Sequence, residues 1–373
     1  MPRIAILGAN GQVGAELCLL LSRIPGIHLV PVCRNPTGSA FLRYSGISCR
    51  HGRPADPVEA PQLFGDCDVI VNCALGTGTP AAIRAFDDQL IRNIFDHSRA
   101  NVTVIHCSTL MVHGDPRPGR LLRTRDAYGR AKFAAEGRVL SESKRSGKPA
   151  YILRLGHVCG PLQNITDTIR KQVAYGQVIL PEDDVPSNTV YTVTIVDAIM
   201  SILAGKEHPG AFDLTSVPQW TWRQVYQYEC GVIGELFSPR LVAASKPQGV
   251  FALILGSARG TISRWLASPF LRRELDRWLA LAPAALNGRA QAIWLNRRAR
   301  AEIRALKADP TPAPELSWIR LDRRTLTSLQ PTERLLAGDP YKYLTADIRS
   351  RWPKDLALAA EVLQVALQPE QAL

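Results

Sequence analysis

Near its start the chain reads Ile4-Ala-Ile-Leu-Gly8-Ala-Asn-Gly11-Gln-Val-Gly14-Ala-Glu-Leu17, and no other stretch limits the fold as much. The short apolar run predicts a buried strand, and the apolar-periodic residues after Gly14 predict a helix. Between them lie three glycines at a spacing of three and three. Glycine lets the chain turn tightly and lets backbone approach a pyrophosphate, which rests on the free N–H groups of a helix N-terminus. Glycine spacing alone is weak evidence; the strand before it and the helix after it give it weight. Gly8, Asn10, Gly11, Gln12, Val13 and Gly14 are therefore the expected cofactor-loop residues.

Further strands are expected at Ile27–Val32, across Asp66–Ala74, at Val102–His106 and at Tyr151–Leu155. Helical stretches are expected over 80–99 and Ala127–Arg138. This alternation predicts a parallel sheet covered on both faces. Ligands in such sheets sit beyond the C-terminal strand ends, where the glycine loop, Thr77, Thr109 and His157 all fall. After Pro161 the rhythm breaks up. Residues 161–187 and 215–307 are read as a smaller, basic substrate lobe. Residues 308–373 are read as a proline-rich connector and a helical tail ending in a helix over Lys354–Leu367.

At 373 residues the chain is too long for one ordinary domain. Its net charge of +12 favours an anionic partner. Much of that charge lies in 257–307, where ten arginines and one lysine face three acids, a net +8. No apolar run reaches membrane-spanning length. The first strand starts at residue 3, so no signal peptide is expected. Eight cysteines are scattered singly with no metal-ligand spacing, which suits free thiols in a reducing cytoplasm and no metal.

Tyr128-Gly-Arg-Ala-Lys132 puts a phenol and an ammonium at i and i+4 on one helix face. A phenol with an ordinary pKa of about 10 is a poor acid–base group at neutral pH. A neighbouring ammonium favours the phenolate, which can then exchange a proton with an oxygen. Alone, this spacing is common on solvated helices. Ser108-Thr109, at the end of the preceding strand, can supply a hydroxyl to the same oxygen.

Taken in order, these parts resemble the extended short-chain dehydrogenase/reductases, the NAD-dependent epimerase/dehydratase family. The marks are Gly8-x-x-Gly11-x-x-Gly14, Asp68-Val-Ile-Val-Asn-Cys-Ala74, Ser108-Thr109-Leu-Met-Val-His-Gly114, Tyr128-x-x-x-Lys132 and Arg154-Leu-Gly-His-Val-Cys-Gly160-Pro161. Thr194-Ile-Val-Asp197 and Phe212-Asp-Leu214 continue the series, so the resemblance covers roughly 3–230. It implies an α/β fold: a Rossmann-type, doubly wound parallel sheet in residues 1–160, with a strand and helix returning near 188–214, and a mostly helical C-terminal substrate lobe. It makes Tyr128 the acid–base group, Lys132 its partner and a ligand of the nicotinamide ribose, and Thr109 the polarising hydroxyl, with Ser108 as fallback. Leu155 and Val158 would meet the nicotinamide carboxamide through backbone atoms, and Ala74 would line the cofactor path.

Departures from the family pattern refine this expectation. NAD-preferring members end the second strand with an acid; here Cys33 and Arg34 stand there, and NADP(H) is favoured over NAD(H). Gly52-Arg53-Pro54 replaces the usual Gly-Asp pattern near the adenine. His113 replaces a tyrosine and His157 an asparagine. Dehydratases carry an acidic pair where this chain has Leu110 and Met111, which argues against 4,6-dehydration.

The expected function is NADP(H)-dependent oxidation, reduction or epimerisation of a nucleotide-linked sugar, with Thr77, Met111 and His157 near an anionic substrate. His157 is a second acid–base group or a packed, hydrogen-bonded side chain. Two other readings stay open: a reductase of a hydrophobic ketone docked on a membrane through 257–307, and a non-catalytic NADP-binding protein. By analogy a homodimer could form through helices near 80–99 and 127–138. Nothing beyond charge supports nucleic acid.

Overall fold

The computed structural model describes residues 1–34, 37–76, 79–114, 127–176, 178–182, 184, 186–215, 219–242 and Tyr341. In chain order, β1 (Arg3–Leu7), α1 (Gln12–Leu21), β2 (His28–Cys33), α2 (Ala40–Tyr44), β3 (Arg50–His51) and α3 (Ala60–Phe64) come first. Next come β4 (Val69–Asn72), α4 (Pro80–His97), β5 (Thr103–Thr109), α5 (Ala127–Ser146) and β6 (Ala150–Leu155). Then follow β7 (His157–Cys159), α6 (Asn164–Ala174), β8 (Ile179–Pro181), β9 (Thr189–Tyr191), α7 (Thr192–Leu203), β10 (Gly210–Leu214), α8 (Trp222–Ile233) and β11 (Arg240–Val242).

Seven strands form one sheet in the order β10-β6-β5-β4-β1-β2-β3, with every pairing parallel. The winding reverses between β1 and β4, which opens a crevice beyond their C-terminal ends. Alternation along each strand decides the layers. Ile4, Ile6, Val69, Val71 and Ile105 pack on the α1 and α7 side. Ala5, Leu7, Ile70, Val104 and Ile152 pack on the α3, α4 and α5 side. Both faces are buried, so these strands read as continuous apolar runs.

Beyond the main sheet, β7 pairs with β9 and β8 with β11. Trp220, Trp222, Val225 and Tyr226 belong to the same apolar cluster as α1 and α7. Helix α5 runs on to Ser146 rather than stopping near 138. Its charged last turns are held by Arg145 bonding Glu142 within the helix and Asp96 on α4. The short β3, α3 and β7 carry too little periodicity to be expected from sequence.

All eight cysteines are free. Among the described residues no helix is long and apolar enough to cross a membrane, and no cluster suits a metal. The basic stretch 257–307, the connector and the expected Lys354–Leu367 helix lie outside the described residues.

Candidate active site

The glycine loop closes β1 onto β4. Gly8 adopts φ 77°, and a Cβ there would stand 2.7 Å from the Ala74 Cα. The Gly11 N–H donates to the Gly8 carbonyl at 2.9 Å, and the Ala15 N–H to the Gly11 carbonyl at 2.8 Å. A Cβ on Gly14 would run into the same Gly8 carbonyl. Asn10 and Gly11 are exposed and Gln12 and Val13 half-buried, so the outer surface of the loop is open. No side chain caps α1, leaving its first N–H groups for an anion. This bare cradle at an uncapped helix end fits the pyrophosphate of a dinucleotide.

Ala74 is held beside the loop. Its N–H donates to Asn72 Oδ1 at 3.1 Å, and Asn72 Nδ2 donates to His106 Nδ1 at 3.2 Å. The proton of His106 therefore sits on Nε2. Burial, aided by Lys132, pushes this imidazole down to about 3, so it stays neutral. Its Nε2 has no partner among the described residues.

At the far end of the crevice, Cys33 is buried at the tip of β2, and its carbonyl accepts the Gly52 N–H at 2.9 Å. Arg34 stands exposed next to it. Arg53 is engaged: its N–H and Nε both donate to Glu59, at 2.7 and 3.2 Å. The Pro54 carbonyl accepts from Asn93 at 3.1 Å.

The other end of the crevice is built on β5 and α5. Ser108 is buried and donates its hydroxyl to Glu136 Oε1 at 2.5 Å. Arg154 grips both oxygens of that carboxylate and lies 3.5 Å from Asp213. Asp213 in turn meets His113 Nε2 at 2.9 Å. Thr109 differs from its neighbour: its Oγ1 accepts the Met111 N–H at 3.3 Å, which leaves the hydroxyl hydrogen for another acceptor. Leu110 to His113 form a 3-10 turn that presents Met111 half-buried beside it.

Tyr128, Lys132 and Glu136 recur every four residues on one face of α5. Tyr128 is 43% exposed, on the first turn, while Lys132 is 6% exposed. The Lys132 ammonium donates to the Cys107 carbonyl at 3.2 Å, which pins α5 against β5.

Beyond β6, the His157 N–H donates to the Asn188 carbonyl at 2.8 Å and binds β7 to β9. Parallel pairing then turns the peptide groups of Val158 away from β9. Leu155 is buried at the end of β6. The His157 ring donates from Nδ1 to the Ser187 carbonyl at 2.8 Å and tilts against Trp222 at 5.2 Å. Burial lowers its pKa, so the ring is neutral with its lone pair on Nε2. Thr77 lies outside the described residues.

The structure thus gathers Gly8 to Gly14 and Ala74 at one end of the crevice, and Thr109, Met111 and Lys132 at the end of β5, with Tyr128 one turn before Lys132 on the same helix. Sequence reasoning did not give Glu136 a role. Its only signal was position: a carboxylate one further turn along the Tyr128–Lys132 face.

The fold and the site define a dinucleotide-binding α/β protein of the Rossmann type. The NAD dependent epimerase/dehydratase family model matches residues 4–203, and the chain belongs to that family of nicotinamide-dependent short-chain dehydrogenase/reductase enzymes. No curated protein matches the chain. Solved structures share the fold at low identity. One is UDP-N-acetylglucosamine 4-epimerase from Bacillus cereus, with 18% identity, TM-score 0.52, and coverage of 68% of this chain and 92% of that one. Another is UDP-glucose 4-epimerase from Thermotoga maritima, solved with UDP-glucose, with 17% identity, TM-score 0.51, and coverage of 66% and 87%. A third is UDP-glucuronic acid 4-epimerase from Bacillus cereus, solved with UDP-glucuronic acid and NAD, with 19% identity, TM-score 0.50, and coverage of 65% and 86%.

Proposed function

We propose that the chain is an oxidoreductase or epimerase of a nucleotide-linked sugar. Tyr128 is its acid–base group, Lys132 the partner that favours the phenolate, and Thr109 the hydroxyl that polarises the reacting oxygen. The observation that carries this reading is the contrast at the end of β5: Ser108 is spent on Glu136, while the hydroxyl hydrogen of Thr109 stays available.

The dinucleotide is held by the loop Gly8–Gly14, with Ala74 along its path and the Leu155 and Val158 backbone at the nicotinamide end. Bound there, it supplies the hydride donor and acceptor at the sugar carbon. The residues of the chain do the rest. Thr109 donates to the sugar oxygen and orients it. Tyr128 takes the proton of that oxygen during oxidation and returns it during reduction. Lys132, fixed by the Cys107 carbonyl, holds positive charge next to the phenol. Leu110 and Met111 cannot titrate, so no elimination of water is assigned. His157 packs on Trp222 and offers Nε2 as an acceptor at the substrate end.

NADP(H) is the proposed cofactor. Cys33 offers no carboxylate to the ribose hydroxyls, and exposed Arg34 suits a 2′-phosphate. Arg53, exposed and only lightly paired with Glu59, supplies a second cation near the adenine end. Fluorescence titration should show NADPH binding tighter than NADH, and R34A should erase the difference. Equal affinities in the native protein would remove the preference.

A homodimer through α4 and α5 also belongs to this reading. Phe133 and Leu140 lie seven residues apart on the outer face of α5, 46% and 49% exposed. Light scattering of the native chain and of a doubly charged variant, F133E/L140E, tests it.

For the reaction itself, purified protein is incubated with NADPH or NADP and a panel of UDP- and dTDP-linked sugars. Turnover confined to nucleotide sugars supports the assignment. Turnover only with hydrophobic ketones would replace it.

A further inference from the structure

Ser108, Arg154 and Asp213 stand in register on three neighbouring parallel strands, β5, β6 and β10. They make a polar row on the sheet face covered by α4 and α5, where Val104 and Ile152 are core. Glu136, from α5, closes the row on one side. Its Oε1 accepts the Ser108 hydroxyl at 2.5 Å and Arg154 Nε at 3.1 Å, and its Oε2 accepts Arg154 Nη2 at 2.8 Å. On the other side Arg154 Nη1 lies 3.5 Å from Asp213 Oδ1. The Asp213 carboxylate in turn accepts His113 Nε2 at 2.9 and 3.0 Å.

Stability alone would not select such a row. Desolvating two carboxylates and a guanidinium offsets much of their attraction, and an apolar row of similar volume packs as well or better. What an apolar row lacks is direction. A planar guanidinium held between carboxylates fixes where its partners stand.

Both arms of the row end on the candidate active site. Glu136 lies one turn past Lys132 and two turns past Tyr128 on the same face of α5. His113 is the last residue of the 3-10 turn that opens at Thr109, whose Oγ1 accepts the Met111 N–H at 3.3 Å. Ser108 and His113 thus grip the chain on either side of Thr109 and Met111. They do so through separate carboxylates that share one guanidinium.

We propose that Arg154 is a positioning residue for the reaction: through Glu136 it sets the helix that carries Tyr128 and Lys132, and through Asp213 and His113 it sets the turn that carries Thr109. The phenol and the hydroxyl come from different elements and have to meet one substrate oxygen, so their spacing depends on what joins those elements. Lys132 also ties α5 to β5 through the Cys107 carbonyl, which makes the turn the part that leans more on the row. This rests on the reading of Thr109 and Tyr128 as the groups that meet the substrate.

The test uses the full chain and two variants that leave the buried carboxylates in place. H113A removes the partly exposed end of the row, and R154K keeps the positive charge but loses the planar fork. In both, amide hydrogen exchange of the segment 108–114 should speed up by about tenfold or more, with exchange in β1 and α1 native. With the best nucleotide sugar, kcat should fall about tenfold to a hundredfold, the range for groups displaced by up to about 1 Å. The NADPH dissociation constant should stay within about threefold of native, since the row does not reach the glycine loop. On a T109V background H113A should lower kcat by less than about threefold more, because the hydroxyl it positions is gone. A merely structural row would lower stability without that coupling. Native exchange of 108–114 in both variants, or a full additional loss on T109V, would overturn the proposal. No turnover by the native chain would overturn the reading of Thr109 and Tyr128 instead, and the exchange result would still decide whether the row holds the turn.

Discussion

Glu136 takes the Ser108 hydroxyl at 2.5 Å, so two adjacent hydroxyls at the tip of β5 have different fates. Ser108 is buried structure. Thr109, whose Oγ1 accepts the Met111 N–H, is the hydroxyl we propose meets the substrate. T109V should therefore lower kcat by about a hundredfold or more, the range of a lost transition-state donor. S108A should lose less than about tenfold and show its effect in urea melts instead, because it removes one of the two donors to Glu136 Oε1. The reverse order of kinetic losses would move the catalytic role to Ser108.

Arg154 bridges Glu136 and Asp213 beneath the site. Both carboxylates are buried, with side-chain exposures of 4% and 3%. Replacing the guanidinium by an apolar chain takes it from both buried carboxylates and leaves Glu136 with Ser108 and Asp213 with His113. R154M should cost about 3 kcal/mol or more in denaturant unfolding. A loss under about 1 kcal/mol would mean that water already screens the pair.

Glu16 sets a pH signature of stability. Its folded value of about 7 lies above the unfolded 4.5, so the fold prefers the proton. The linked stability is complete below pH 4.5 and gone once pH rises through about 7. The size is about 3 kcal/mol by linkage. Subtracting the E16Q profile from the native one isolates it. A flat difference across that window would mean that Glu16 titrates normally in the fold.

Much of the main sheet was legible because its strands are covered on both sides. Ile4–Leu7 and Val69–Asn72 are continuous apolar runs, and runs of that kind bounded by glycine or turn residues leave few alternatives. The glycine loop was legible because Gly8 and Gly14 are places where the fold allows no side chain. What stayed hidden depends on distant partners. Glu16 looked like an ordinary helix residue, since Thr192 and Tyr341 meet it only in three dimensions. The contact of Arg53 with Glu59 is likewise visible only once the loop is folded. The different partners of Ser108 and Thr109 depend on Glu136 of α5 and on one turn of backbone, neither of which a local pattern records.

The central claim is that the phenol of Tyr128 moves the proton. Y128F keeps the ring and removes only that oxygen. Stopped-flow turnover of the best nucleotide sugar should fall by about a thousandfold, in the range of general acid–base catalysis, with the NADPH dissociation constant within about threefold of native. Y128F that turns over at the native rate would contradict the account.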